Sequence, residues 1–180
     1  SVSSDVGCID PRSVVSSSVG VWFQAVDGIY LVDRSLQVTP IGRAVQDELT
    51  SYHVITSACV IDRDREVRFT LQATEASTTG IVLAFDLTEQ EWIRRTYLDT
   101  VATPDTASVA LCSSAVVDGS WYAAIAANGS VLEEVTDDWT DNGFYVESRI
   151  TTPWIKVAGV QGFQRIRRLQ WLFERSSSCD

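Results

Sequence analysis

Residue types needed for common active sites are scarce in this 180-residue chain. It has one histidine, His53, and its four cysteines form no C-x-x-C pair, which excludes the common zinc-binding spacings. Any Ser-His-Asp triad would have to use His53, but no nucleophile elbow lies near it. Phosphate-binding loops and dinucleotide-binding fingerprints are also missing. We therefore predict that the protein is not an enzyme, with no catalytic or cofactor-binding residues and no cofactor.

Methionine is absent from the chain, and so are long hydrophobic runs. Because translation normally begins with methionine, its absence predicts that this chain is part of a longer protein. No apolar run approaches the roughly 18–20 residues that cross a bilayer, so we predict no transmembrane segment. Residues 1–5 have neither the basic region nor the apolar region of a secretory signal, so we predict no signal peptide.

Positive charge is sparse over most of the chain, and the net charge is −10. Residues 1–151 contain 22 acidic residues and nine arginines, whereas residues 152–180 contain five basic and two acidic residues. An acidic surface repels phosphate at long range, so we predict that the protein does not bind duplex DNA tightly. The basic C-terminal segment fits two interpretations: it contacts an acidic partner, or it pairs with acidic residues of its own chain.

Two of the four cysteines, Cys59 and Cys112, lie within apolar strand patterns. Buried, reduced thiols are usual at such positions, so we predict that both side chains are buried. This interpretation indicates a reducing compartment during assembly.

Three similar segments, residues 27–33, 79–86 and 128–137, recur about fifty residues apart. In each, a glycine opens a run of β-forming residues and an acidic residue closes it; the glycines lie 52 and 49 residues apart. A fixed period of this length, with several short strands in each repeat, is typical of four-stranded propeller blades. We therefore predict an all-β, β-propeller-like array of antiparallel four-stranded blades.

The repeats divide residues 1–151 into about three blades, with approximate bounds 8–51, 52–103 and 104–151. Closed propellers typically have 4–8 blades, so this array would be part of a larger propeller. We predict one short helix over residues 42–51 and tight hairpin turns at Asp118-Gly119 and Asn128-Gly129. The predicted strands cover residues 14–18, 19–24, 29–33, 37–41, 57–61, 67–72, 81–85, 92–98, 108–117, 121–126, 131–136, 144–150 and 166–173.

Two acidic clusters were weighed as cation sites. Residues 62–66 alternate acids with arginines and lack the glycine of an EF-hand loop, so we predict a solvated hairpin tip. Residues 137–143 offer several short oxygen side chains, which could either surround a hard cation or cap the backbone of a turn. The sequence leaves open whether Asp137 to Asp141 binds an ion.

The tryptophans are spread along the chain at one or two per repeat, which favours packing between blades over a sugar-binding platform. The six are Trp22, Trp92, Trp121, Trp139, Trp154 and Trp171.

Residues 152–180 are predicted to form a basic, aromatic strand segment that closes the array or docks on a neighbouring domain. Over residues 164–174, arginines and large aromatics alternate so that neither face is cleanly apolar. Such a strand is either a contact surface or a sheet edge whose arginine stems cover neighbouring aromatics. We predict inter-domain or inter-subunit contacts by Trp154, Lys156, Arg165, Arg167, Arg168 and Trp171.

Three motifs carry a resemblance to a known family: residues 7–14 (GCIDPRSV), 28–42 (GIYLVDRSLQVTPIG) and 152–168 (TPWIKVAGVQGFQRIRR within it). Residues 5–175 resemble, in the same order, the C-terminal part of structural proteins in the tails of short-tailed bacteriophages. These are the tail nozzle (tail tubular protein B-like) and the packaged-DNA stabilisation proteins, whose members are much longer than this chain.

The resemblance implies a virion structural protein that forms part of a ring, either nozzle or hub, through which DNA is retained and then ejected. It implies a homo-oligomeric ring in the virion tail, assembled in the host cytoplasm and joined to other tail or connector proteins. DNA would pass without sequence-specific binding, and no small-molecule substrate is expected. Two alternatives remain: a carbohydrate- or receptor-binding propeller module, and a hydrolase with converging carboxylates on a propeller.

Overall fold

A computed structural model describes residues 6–97 and 108–135, together with the backbone of two short strands, Thr140–Asp141 and Phe144–Tyr145. The chain divides into two compact units, Ser1–Val146 and Glu147–Asp180. Every residue described below lies in the first unit.

The described residues form antiparallel sheets in which each strand pairs with its neighbours in the chain. The first sheet has the order β1 (Val15–Ser16), β2 (Gly20–Ala25), β3 (Gly28–Asp33) and β4 (Val38–Pro40). The middle sheet has the order β5 (Val54–Ile61), β6 (Glu66–Gln72), β7 (Gly80–Asp86) and β8 (Trp92–Arg95). The third sheet comprises β9 (Leu111–Val117), β10 (Ser120–Ile125) and β11 (Val131–Glu133), with β10 central. The all-β prediction is confirmed.

Helical structure in the described residues is confined to short pieces. Two 3-10 helices cover Pro11–Ser13 and Gly42–Val45, and one α-helix, α1, covers Gln46–Ser51. The second and third pieces together confirm the short helix predicted over residues 42–51. None of the helices in the described segments has the length and apolar character needed to cross a bilayer.

The predicted hairpin turns are confirmed, and each has a local cause. Asp118 and Gly119 both have positive φ, 52° and 83°, the backbone that a two-residue type I′ turn requires. Between β10 and β11, the Asn128 side chain accepts a hydrogen bond from the backbone N–H of Ser130, and Gly129 has a φ of 73°. Pro40 ends the edge strand β4, where its missing N–H costs no ladder bond.

The third repeat differs from the predicted four strands. Its described sheet has three strands, and the two short strands β12 (Thr140–Asp141) and β13 (Phe144–Tyr145) pair only with each other. The strand predicted from residue 108 begins at Leu111, because Val109 instead forms an isolated bridge with Thr79 of the middle repeat. The predicted strand over residues 166–173 lies outside the described residues.

The first sheet packs on the middle sheet through an apolar contact, which we call the first seam. Aromatic rings dominate it: Trp22 lies 5.0 Å from Phe85, and Trp92 lies 5.1 Å from Phe85 and 6.1 Å from Phe69, measured between ring centroids. Burying one side chain of this size contributes about 1.5–3 kcal/mol. The buried members of the first seam are Trp22, Ile29, Val45, Leu49, Ile55, Val67, Phe69, Leu71, Ile81, Leu83 and Phe85.

The middle sheet is covered on both faces, and β6 shows how its sequence serves both. Val67, Phe69 and Leu71 point into the first seam. The alternate residues face the third sheet because side chains alternate across a strand, and all are polar. They are Glu66, Arg68, Thr70 and Gln72, and none is more than 4% exposed.

The contact between the middle and third sheets, which we call the second seam, mixes apolar and polar groups. A bulge in β5 at Thr56 lets its hydroxyl reach across to the carbonyl oxygen of Leu111, at 2.7 Å. Gln72 donates to the same carbonyl, and Ser57 contacts Ser114 at 2.8 Å. The apolar members of the second seam are Cys59, Ile61, Val82, Val109, Leu111, Trp121, Ala123 and Ile125.

The two cysteines predicted to be buried differ in exposure. Cys59 is buried in the second seam, as predicted, and burial raises the pKa of its thiol. Cys112 is exposed, so that prediction is wrong. It lies on β9, an edge strand of the third sheet, where an apolar pattern indicates a strand but not how much of it another sheet covers.

Candidate functional site

The most concentrated polar chemistry in the described residues surrounds Arg68. Its side chain is 1% exposed and lies on β6, facing the second seam. Its guanidinium contacts three carboxylates: Glu66 at 2.8 Å, Glu134 at 2.7 Å and Asp64 at 3.1 Å. A buried charge is tolerated when it is paired and hydrogen-bonded, and Arg68 meets both conditions.

Glu134 joins the third sheet to this group. It follows the last residue of β11, and its side chain is 19% exposed. Its carboxylate meets three arginines of the middle sheet and its turns: Arg68 at 2.7 Å, Arg95 at 3.6 Å and Arg63 at 3.7 Å. All ion pairs that cross the second seam between described residues therefore end on Glu134.

The remaining pairs close the network. Arg95 donates to Glu66 at 2.5 Å, and Arg63 donates to Asp64 at 2.9 Å. Three arginines thus balance three carboxylates, without a formal excess of either sign. We call this set the ionic cluster, which consists of Arg63, Asp64, Glu66, Arg68, Arg95 and Glu134.

The protonation states of the cluster follow from its geometry. A hydrogen bond from Arg63 holds the pKa of Asp64 below its ordinary value, and the charges of Arg68 and Arg95 act in the same direction. Burial alone would lower the pKa of Arg68, but its hydrogen bonds to Glu134 and Glu66 outweigh burial and raise that pKa. Arg68 also lies over the ring of Trp121, 5.1 Å from the centroid, in a cation–π contact. The cluster is therefore charged and internally neutralised.

The prediction that residues 62–66 form a solvated hairpin tip is wrong for two of the three acids. Asp64 is partly buried and Glu66 is 4% exposed, because both pair with arginines in the second seam. The sequence shows the alternation of acids and arginines but not the third sheet that covers it. Within the described ranges, no group of three or more His, Cys, Asp or Glu side chains is arranged to hold a metal ion.

The third sheet leaves one face exposed. On β10, Trp121, Ala123 and Ile125 are buried in the second seam, so Tyr122 and Ala124 point to the opposite side. Residues directly opposite each other in an antiparallel pair share a face, which assigns the neighbours of Tyr122 and Ala124 to that side. We call this set the outer face of the third sheet; it comprises Ser113, Ala115, Val117, Tyr122, Ala124, Val131 and Glu133.

The outer face is mostly small and apolar, and it is exposed. Val117 is 53% exposed and Val131 is 66% exposed. Its main polar feature is a hydrogen bond between Tyr122 and Glu133, which raises the pKa of the Tyr122 hydroxyl. Exposed apolar area of this kind marks an interaction surface.

Among the described tryptophans, Trp22 and Trp121 are buried, which confirms a packing role for both. Trp92 packs in the first seam and donates from its indole nitrogen to the carbonyl oxygen of Ile41, but it remains partly exposed. It borders an open groove of about 410 Å³. The groove is lined by Ala44, Val45, Glu48, Gln90, Glu91, Trp92 and Arg94.

The predicted contact residues lie outside the described residues. They are Trp154, Lys156, Arg165, Arg167, Arg168 and Trp171. The same holds for Asp137 to Trp139 in the candidate ion loop, and only the backbone is described at Thr140 and Asp141. The interpretation of these residues stays a prediction.

Comparison of the chain with protein-family models, with curated proteins and with solved structures gives no match. The functional argument therefore depends on the stacked sheets, the ionic cluster and the exposed outer face.

Proposed function

We propose that this chain is a structural segment of a β-propeller-like ring in a bacteriophage tail, forming part of the nozzle or hub. The observation that supports it best is the stacking of consecutive sheets in chain order, with the outer face of the third sheet left exposed. Blades of a propeller pack on one another in this order around a central channel. Three sheets are too few to close such a ring, so further sheets would pack on the exposed face.

The motif over residues 28–42 supports a structural role for the resemblance. It forms β3 and β4 and ends at Gly42, where a Cβ atom would lie 2.7 Å from the backbone nitrogen of Ile29. Gly28 opens β3 with a φ of 140°, a conformation that favours glycine. These residues meet requirements of chain packing, so the motif fits a family that shares an architecture and no catalytic group.

Charge supports passage of DNA without capture. The described sheets carry arginines, but those of the ionic cluster are already paired with carboxylates and are not free for phosphate. An acidic chain repels the DNA backbone at the distances over which phosphate contacts would otherwise form. We propose a homo-oligomeric ring in the virion tail, joined to other tail proteins, in which DNA is retained and then ejected.

Charged substitutions on the outer face test this proposal in the full-length protein. Ala124→Glu should prevent the next sheet from packing and reduce the fraction of protein in rings, because it places a charge in an apolar contact. Val26→Glu is the matched control, since Val26 is 88% exposed at the turn between β2 and β3. Native mass spectrometry measures the copy number.

A wild-type protein that remains monomeric would argue against the ring. Rings formed equally well by Ala124→Glu and by wild type would remove the outer face from the proposal.

The groove beside Trp92 favours a second candidate, binding of a carbohydrate. A partly exposed tryptophan next to Glu48, Gln90, Glu91 and Arg94 combines an apolar surface with hydrogen-bonding groups. A glycan array separates the two candidates: binding that is lost in Arg94→Ala would favour the carbohydrate, and an array without hits would count against it.

A further inference from the structure

The two seams of the middle sheet differ in chemistry. The first seam is apolar and contains the rings of Trp22, Phe69, Phe85 and Trp92 in mutual contact. Opening it would expose this aromatic area to water, which the hydrophobic effect opposes. The first seam should therefore stay closed under native conditions.

The second seam has polar groups where the first has aromatics. Thr56, Thr70 and Gln72 of the middle sheet are buried there, and Ser57 meets Ser114 across the contact. When the sheets separate, water can replace these hydrogen bonds, so each contributes little net stability to the closed state. The charges then decide how firmly the seam is held.

The charges of the ionic cluster are unevenly divided between the sheets. The middle sheet and its turns contribute three arginines and two carboxylates, an excess of one positive charge, and the third sheet contributes one carboxylate, that of Glu134. Closing the seam brings Glu134 against Arg63, Arg68 and Arg95 and removes that excess. Without Glu134, the guanidinium of Arg68 would be buried with one partner fewer.

We propose that the second seam is a joint within the fold and that Glu134 is the electrostatic latch that keeps it closed. The third sheet separates from the middle sheet as a unit, while the first and middle sheets stay packed. Such local opening is a common property of cooperative segments that are joined by few apolar contacts. The joint would let an array of sheets change its opening without unfolding, and it does not depend on the proposed role in a phage tail.

Hydrogen exchange measured by mass spectrometry on the 180-residue chain tests the latch. We expect Glu134→Gln to accelerate exchange of the β10 amides by at least roughly tenfold, the loss expected for one hydrogen bond to a charged group. The β6 and β7 amides, which lie in the first seam's sheet, should exchange as in wild type. Glu133→Gln is the matched control, because its neighbouring carboxylate is exposed on the opposite face and should leave β10 unchanged.

Two results would overturn the proposal. Unchanged exchange of β10 in Glu134→Gln would show that Glu134 is not the latch, and equal acceleration of all three sheets would show that there is no separate joint. Wild-type protein provides a test that needs no variant. Its β10 amides should exchange together and faster than those of β6, whereas equal rates for the two strands would contradict a joint.

Discussion

At the residue scale, Arg68 is defined by its surroundings. A polar residue between Val67 and Phe69 on a strand is ordinarily on the solvent side of a sheet. Here the third sheet covers that side, and the three carboxylates around Arg68 compensate for the lost hydration. The ion pairs are conditional on one another, so removing one charge leaves the others buried and unpaired.

Arg68→Met should therefore destabilise the fold. The methionine fills much of the same volume, but Glu66 and Glu134 lose a buried partner, and we expect the free energy of unfolding to fall by about 3–5 kcal/mol. Arg94→Met is the control, because Arg94 is exposed on β8, and its effect should lie within about 0.5 kcal/mol. Urea denaturation followed by tryptophan fluorescence measures both, and equal effects in the two variants would contradict the buried pairing.

At the element scale, close approach between segments sets the entry from β4 into the helical turn. The 3-10 helix that begins at Gly42 lies against the backbone of β3, with Leu49 of α1 also within reach of a side chain at this position. The sequence shows a glycine after Pro40 and Ile41, which suggests only a turn. The contact with Ile29 supplies the stronger reason for glycine at position 42.

Gly42→Ala should cost about 1–3 kcal/mol, because the added Cβ would meet backbone atoms of β3 that cannot move aside without disturbing the sheet. Gly7→Ala is the control, since no atom lies within 4 Å of its added Cβ. Thermal denaturation compares the two. A melting temperature of Gly42→Ala close to that of Gly7→Ala would mean that β3 accommodates the methyl group.

At the scale of the whole molecule, stability should fall in acid. The pKa of Asp64 is held below its ordinary value by the hydrogen bond from Arg63, and the pKa of Asp10 is lowered by the hydrogen bond from Arg12. A lowered pKa means that the folded state prefers the ionised form. Its stabilisation is present above the unfolded pKa of about 3.9 and is lost as the pH falls through the folded value.

The free energy of unfolding should therefore change little from pH 7 to about pH 5 and should decrease below about pH 4. Asp64→Asn should make the decrease shallower, because one of the proton-linked groups is gone. Urea denaturation at a series of pH values measures the slope. An identical slope in Asp64→Asn and wild type would show that Asp64 does not contribute to it.

Much of the secondary structure could be predicted from local sequence. The positive φ of Asp118 and Gly119 and the glycine that opens β3 act within a few residues, and so the hairpins could be located. The alternation of Val67, Phe69 and Leu71 likewise indicates a strand without reference to the rest of the chain. The fifty-residue spacing of the glycines agrees with the first two four-stranded sheets, although the third described sheet has one strand fewer.

The burial of polar groups could not be predicted in this way. Arg68 and Glu134 are 66 residues apart in sequence, and their contact exists only because the third sheet packs on the middle one. The same packing buries Cys59 and leaves Cys112 exposed, although both lie in similar apolar patterns. Local sequence fixes which way a side chain points from its strand, since that depends on backbone geometry. Whether it then meets water, an apolar ring or an opposite charge depends on which sheet lies opposite.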